Sequence, residues 1–143
     1  MYTKIQVVFD AAEPVRLADF WGLALGYVPE PPPEGFASWE DFGRSIGMPE
    51  EKFGDQAAVV DPEGLGPRLF FQRVPEGKTA KNRCHLDVRV AGREVRGEER
   101  QRLVEEHIAR LLGAGGTVAW RTDDVRGRAV VMRDPEGNEF CVT

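Results

Sequence analysis

Apolar and polar positions along this chain alternate, then recur at helical spacing, then alternate again, and the whole pattern runs twice. From Ile5 to Asp10 the residues alternate as a half-buried strand does, with Ile5, Val7 and Phe9 on one face and Gln6, Val8 and Asp10 on the other. Glu13-Pro14 then opens a helix in which Leu17, Phe20, Trp21, Ala24 and Leu25 recur at helical spacing until Gly26 stops it. Tyr27-Val28 begins a second strand, and Gln56 to Val60 and Arg68 to Val74 supply two more. The second pass repeats the plan. Cys84 to Val90 alternates, with Cys84, Leu86, Val88 and Val90 on the packing face and His85, Asp87 and Arg89 opposite. A helix from Glu98 to Leu112 follows, carrying Leu103, Val104, His107, Ile108, Leu111 and Leu112 on or beside one face and ended by Gly113 and Gly115-Gly116. Extended runs at Thr117 to Trp120, Arg128 to Met132 and Glu139 to Val142 complete it.

Each pass therefore reads strand, helix, strand, strand, strand. The tetrapeptide Asp-Pro-Glu-Gly stands at the same joint in both, as residues 61–64 and 134–137, just before the last strand. Proline presets φ and glycine takes conformations other residues avoid, so this order suits a tight turn. The first strands are offset by 79 residues (Gln6 to His85) but the turns by 73, so the copies differ by insertions. Most of the extra length lies between Pro29 and Asp55, a Pro-rich start followed by a short helix around Ser38 to Ile46. A long loop of this kind reads either as a lid or binding segment or as a plain surface excursion. The reading is α+β, one domain over residues 1–143, with a first module at 1–75, a linker at 76–81 and a second module at 82–143.

Charge and composition exclude more than they assign. The net charge of -5 comes from 24 acidic and 19 basic side chains mixed along the sequence, which leaves no cationic stripe to follow a phosphate backbone. Nucleic acid is not an expected partner. No apolar run approaches bilayer length and the first residues enter a strand pattern directly, so a cytoplasmic protein with no membrane contact is expected. Two cysteines, Cys84 and Cys141, read as reduced thiols. No Ser-His-Asp order, phosphate-binding glycine loop or dinucleotide fingerprint is present.

Paired βαβββ modules, with Phe20-Trp21 and Leu25-Gly26-Tyr27 in the first helix region, resemble the vicinal oxygen chelate superfamily of glyoxalases, bleomycin-resistance proteins and dioxygenases. Phe71-Gln72-Arg73-Val74-Pro75, Lys81 to Asp87 and Asp134 to Cys141 are similar to its bacterial glyoxalase-like branch. The resemblance implies two curved mixed sheets enclosing a cleft, helices outside, and a homodimer. It also implies metal-ligand positions on four strands, of which Gln6 and His85 match the first site of each module. The remaining two fall on Cys141 and on Phe70 or Gln72, so the paired carboxylates of a conventional divalent site are missing. No cofactor is expected on this ground, the remaining route to a metal being a soft zinc site through His85 and Cys141.

Strand alternation independently gathers Gln6, Gln72, His85, Glu139 and Cys141 on the polar faces, with Phe70 beside them. Phe36 and Trp39 on the long loop are candidates to line a pocket, or to anchor the loop by burial. The ligand-binding candidates are thus Gln6, Phe36, Trp39, Phe70, Gln72, His85 and Cys141. With no inward arginine cluster beyond Arg89 and Arg128, an uncharged or weakly polar small molecule is the expected ligand. Three functions follow: a metal-independent small-molecule binder or enzyme of the glyoxalase-like branch, a metal-dependent lyase or isomerase, or a sequestering resistance protein for a bulky natural product.

Overall fold

A computed structural model describes residues 1–125 and 127–143. The contacts divide the chain into two units, Met1–Gly77 and Lys78–Thr143. The first holds β1 (Val7–Ala11), α1 (Pro14–Leu25), β2 (Val28–Pro29), α2 (Trp39–Ser45), a 3-10 turn (Glu50–Lys52), β3 (Gln56–Val60) and β4 (Leu69–Arg73). The second holds β5 (Asp87–Val88), α3 (Gly97–Gly113), β6 (Thr117–Asp124), β7 (Gly127–Arg133) and β8 (Glu139–Val142). Setting α2 and the 3-10 turn aside, both units are βαβββ, and the fold class is α+β.

Each unit builds one four-stranded mixed sheet on the same plan, β1-β4-β3-β2 in the first and β5-β8-β7-β6 in the second. The first and last strands of each unit pair in parallel, with Val8 opposite Phe70 and Asp87 opposite Cys141. The remaining pairs are antiparallel. A parallel pair needs a crossover connection, and the helix of each unit lies within it.

Helix α1 begins with Pro14, whose missing N–H is lost on no partner, and ends at Gly26 with φ 69, the left-handed geometry that glycine adopts without strain. Its buried face carries Leu17, Phe20 and Trp21. Phe9 completes this core, 5.0 Å from Trp21 and stacked 5.1 Å from Phe71 between ring centroids. In the second unit Ile108 and Leu111 of α3 and Met132, Phe140 and Val142 of the sheet are buried. Each such side chain contributes about 1.5–3 kcal/mol by leaving water. His107 on α3 is buried with its Nδ1 2.9 Å from Arg110 Nη2, a structural position among apolar neighbours.

The two Asp-Pro-Glu-Gly joints are the same turn. Gly64 N–H donates to Asp61 C=O at 3.0 Å and Gly137 N–H to Asp134 C=O at 2.9 Å, with both glycines at positive φ. In each, the aspartate carboxylate also accepts the N–H of the glutamate two residues on, at 2.9 Å. Asp61 adds the N–H groups of Leu65 and Gly66, and Asp134 adds the backbone and side-chain N–H groups of Asn138.

Three sequence expectations are corrected. Ile5, assigned to the packing face, is 72 % exposed because the β1–β4 ladder begins only at Val7 opposite Leu69. Cys84, also assigned to that face, is exposed, since it lies in a bend before pairing starts at Asp87. The strand expected from Cys84 to Val90 is accordingly reduced to Asp87–Val88. Among the described residues no helix is long and apolar enough to cross a membrane.

The turn carboxylates generate a test. Asp134 is 3 % exposed, so Asp134→Ala strands three N–H groups and is expected to destabilise by about 2 kcal/mol. Two of the three donors around Asp61, those of Glu63 and Leu65, are exposed and can turn to water, so Asp61→Ala is expected to lower the urea midpoint less. Equal midpoints for the two variants would contradict this assignment.

Candidate functional site

The insertion that distinguishes the first unit builds a cavity. Ser38 caps α2 by accepting the Asp41 N–H at 3.1 Å, as expected of a serine before a helical turn with acidic residues in it. The helix then presents Trp39 and Phe42, and the loop after it presents Met48 and Phe53, to a cavity of about 280 Å³. Its opposite walls are Val15 and Ala18 of α1 and Ala58 and Phe70 of the sheet. The volume lies near the lower end of the roughly 300–1,000 Å³ usual for small-molecule sites. Gly43 is required for this packing: a Cβ there would stand 2.8 Å from Phe53 Cε1.

Glu30, between a strand and three prolines, joins these walls. Its N–H donates to Ala58 C=O at 3.0 Å, extending the β2–β3 pairing. Its own C=O accepts the Trp39 indole N–H at 2.8 Å, which fixes α2 against the strand. Its carboxylate takes a bidentate grip from Arg68, at 2.9 Å from Nε and 2.5 Å from Nη2. Arg68 also donates to Gln6 Oε1 at 2.8 Å, and its guanidinium lies 5.0 Å from the centre of the Phe70 ring. The cavity therefore has an arginine in its wall whose charge is already matched. Trp39 remains 44 % exposed, its N–H held by the Glu30 carbonyl and its ring edge-to-face with Phe42 at 5.9 Å between centroids.

A second cluster belongs to the other unit. His85, Asp87 and Cys141 place one imidazole nitrogen, one carboxylate oxygen and the thiol within 4.8 Å of one another. His85 Nε2 is 3.5 Å from Asp87 Oδ1. Burial pushes the Cys141 thiol above its ordinary range, Asp87 raises it further by charge and hydrogen bonding, and Lys81 opposes them. The cluster is thus a thiol, a carboxylate and an imidazole converging on one point. For a metal the donor set fits zinc, which takes nitrogen, sulfur and carboxylate ligands together.

Glu139, on the same strand face as Cys141, is closed off from that cluster. It accepts the Asn82 N–H at 2.9 Å and pairs with Lys78 at 3.0 Å, only 8 % exposed. The Asn82 N–H and then Lys78, against some desolvation, hold its pKa down to about 2.

The structure brings Trp39 and Phe70 to one cavity, with Phe36 behind them, 5.2 Å from Phe42 in an edge-to-face contact. Gln6 touches this group through Arg68. Gln72 does not: its side chain donates to Asp10 at 2.9 Å along the β1–β4 register. His85 and Cys141 meet in the second unit with Asp87. Sequence reasoning missed Glu30 and Arg68 as site residues, and it left Phe42, Met48 and Phe53 inside an undivided loop. The one available signal was Glu30 itself, an acid set between prolines where the insertion begins.

Comparison with known proteins agrees with this architecture. A family model described as a glyoxalase-like domain matches residues 6–143. A search of curated proteins gave no match. Among solved structures, a possible glyoxalase from Bacillus cereus is similar at 15% identity and a TM-score of 0.61, covering 100% of this chain and 99% of that one. A mutant of the fosfomycin resistance protein FosX from Listeria monocytogenes, with Mn(II) and a dihydroxypropylphosphonic acid bound, gives 10% identity and a TM-score of 0.62 over 99% and 90%. The bleomycin-binding protein of Streptomyces verticillus, bound to copper(II)-bleomycin, gives 20% identity and 0.55 over 100% and 96%. At such identities the likeness is one of fold.

Glu139 makes the acid limb of stability testable. Its folded pKa of about 2 lies below the ordinary 4.5, so its stabilisation is complete above pH 4.5 and is lost as pH falls toward 2. Glu139→Gln is expected to lower the urea midpoint at neutral pH and to flatten its decline between those two values. A variant whose acid limb matches the parent's would show that other carboxylates govern it.

Proposed function

Since the chain belongs to the glyoxalase-like domain family, we propose that it binds a small, largely apolar organic molecule, one that needs no metal in the cavity of the first unit. The observation that carries this reading is the aromatic wall built by α2 and pinned through Trp39 to Glu30. A surface excursion would not need an indole tied by its N–H to a strand carbonyl, nor a glycine to admit Phe53. Ring faces of Trp39 and Phe70 favour a flat ligand, because offset stacking and apolar burial act together there.

The charge pattern tells against an anionic ligand, since Asp19 and Glu40 also line the cavity. Arg68 is engaged by Glu30 and Gln6, and Lys52 is paired with Asp55 at 3.3 Å, so neither cation is left over for a ligand carboxylate or phosphate. Breaking the Arg68–Glu30 pair to bind an anion would expose a carboxylate in its place. The likeness to a bleomycin-binding protein supports ligand binding as one use of such a fold, and the cavity of about 280 Å³ suits a small molecule. Action as a homodimer in the cytoplasm belongs to the same reading, on the family resemblance.

A panel of mono- and bicyclic neutral aromatic compounds, screened by thermal shift and confirmed by calorimetry, tests it. Trp39→Ala and Phe70→Ala are each expected to weaken a confirmed compound at least tenfold, which is about 1.4 kcal/mol. Matched anionic analogues are expected to bind more weakly than the neutral parents. Affinity unchanged in both variants would remove the cavity from consideration.

A further inference from the structure

We propose that the cavity of the first unit selects a flat aromatic molecule carrying one protonated amine, with Asp19 and Glu40 receiving the ammonium group. This rests on the cavity being an organic-ligand site, and it names the chemical class that the site prefers.

The charges in the wall do not cancel. Asp19, Glu30 and Glu40 line the cavity against Lys52 and Arg68. Both bases are engaged, Arg68 by Glu30 and Lys52 by Asp55, and Glu30 is matched by the same pairing. Asp19 and Glu40 make no side-chain hydrogen bond or ion pair among the described residues. The charge left over for a ligand is therefore two carboxylates.

Donors and acceptors divide the same way. The Trp39 indole N–H is taken by the Glu30 carbonyl, and the Arg68 guanidinium by Glu30 and Gln6. An ionised carboxylate only accepts. The wall thus offers mainly acceptors, and a bound molecule has to bring the N–H groups.

Each free carboxylate stands beside apolar lining of its own helix. Asp19 follows Ala18 and lies one turn after Val15 on α1, while Glu40 follows Trp39 in the first turn of α2. The aromatic wall also suits a cation. Arg44 lies 5.4 Å from the centre of the Phe53 ring and Arg68 5.0 Å from that of Phe70, so two of its rings already face one. Trp39 has none over it among the described residues, and indole is the strongest aromatic partner for a cation. Asp19 and Glu40 are exposed, so water and salt weaken their pull, and the preference for an amine is a matter of a few-fold.

Calorimetry with benzylamine and naphthylmethylamine, each against the matching alcohol, tests the preference at low and high salt. The amines are expected to bind roughly three- to tenfold tighter than the alcohols at low salt, with the ratio shrinking at high salt. Asp19→Asn combined with Glu40→Gln is expected to bring the ratio to about one. Glu63→Gln combined with Glu98→Gln removes the same charge from exposed residues outside the cavity and is expected to leave the ratio as in the parent. Amines that bind no tighter than alcohols, a ratio that survives loss of Asp19 and Glu40, or one that falls as far in the Glu63 and Glu98 variant overturns the proposal, and alcohol binding still stands. If neither amines nor alcohols bind, the organic-ligand reading fails and the amine preference with it.

Discussion

A carboxylate that accepts the backbone N–H groups of its own turn stands before β4 and again before β8. These turns decide where the last strand of each unit starts, and so which residues it sets against the first strand of that unit. Asp61 and Asp134 satisfy donors that a tight turn leaves unpaired, and positive φ at Gly64 and Gly137 completes the reversal. Register in a sheet is all or nothing: a slip of one residue would carry Phe70 or Cys141 to the helix side. Both candidate sites therefore inherit their geometry from a hydrogen-bonded turn that neither of them contains.

The cavity depends further on a single acidic residue holding three kinds of partner. Glu30 uses its N–H for the sheet, its carbonyl for Trp39 and its carboxylate for Arg68. Insertion of a long loop into a sheet carries a modest entropic cost that grows slowly with length. What it must avoid is leaving backbone polar groups without partners, and Glu30 meets that requirement at the point where the insertion departs. The same residue neutralises Arg68, so the arginine in the cavity wall is matched before any ligand arrives.

Elements with a buried face were legible in the sequence. Helix α1, strand β3 and strand β8 have the limits expected from periodicity, because apolar burial and the glycine stop act locally. The short helix expected around Ser38 to Ile46 is present as Trp39–Ser45. Edge segments were not: at Ile5 and Cys84 the alternation continues past the end of the ladder, and the pattern cannot report where a partner strand stops. The pairing of Glu30 with Arg68 spans 38 residues and leaves no periodic trace. Asp87 was placed on the correct face with His85, but its meeting with Cys141 follows from the parallel register, which alternation alone does not give.

The parallel ladders place Val8 and Phe70 in one unit at the stations that Asp87 and Cys141 occupy in the other. A repeated architecture thus carries apolar side chains at one pair of stations and a carboxylate and a thiol at the other, while the turn before the last strand is the same in both. Because strand order and turn are common to both units, the chemistry of a station is set by its side chains alone and can change without any change of backbone.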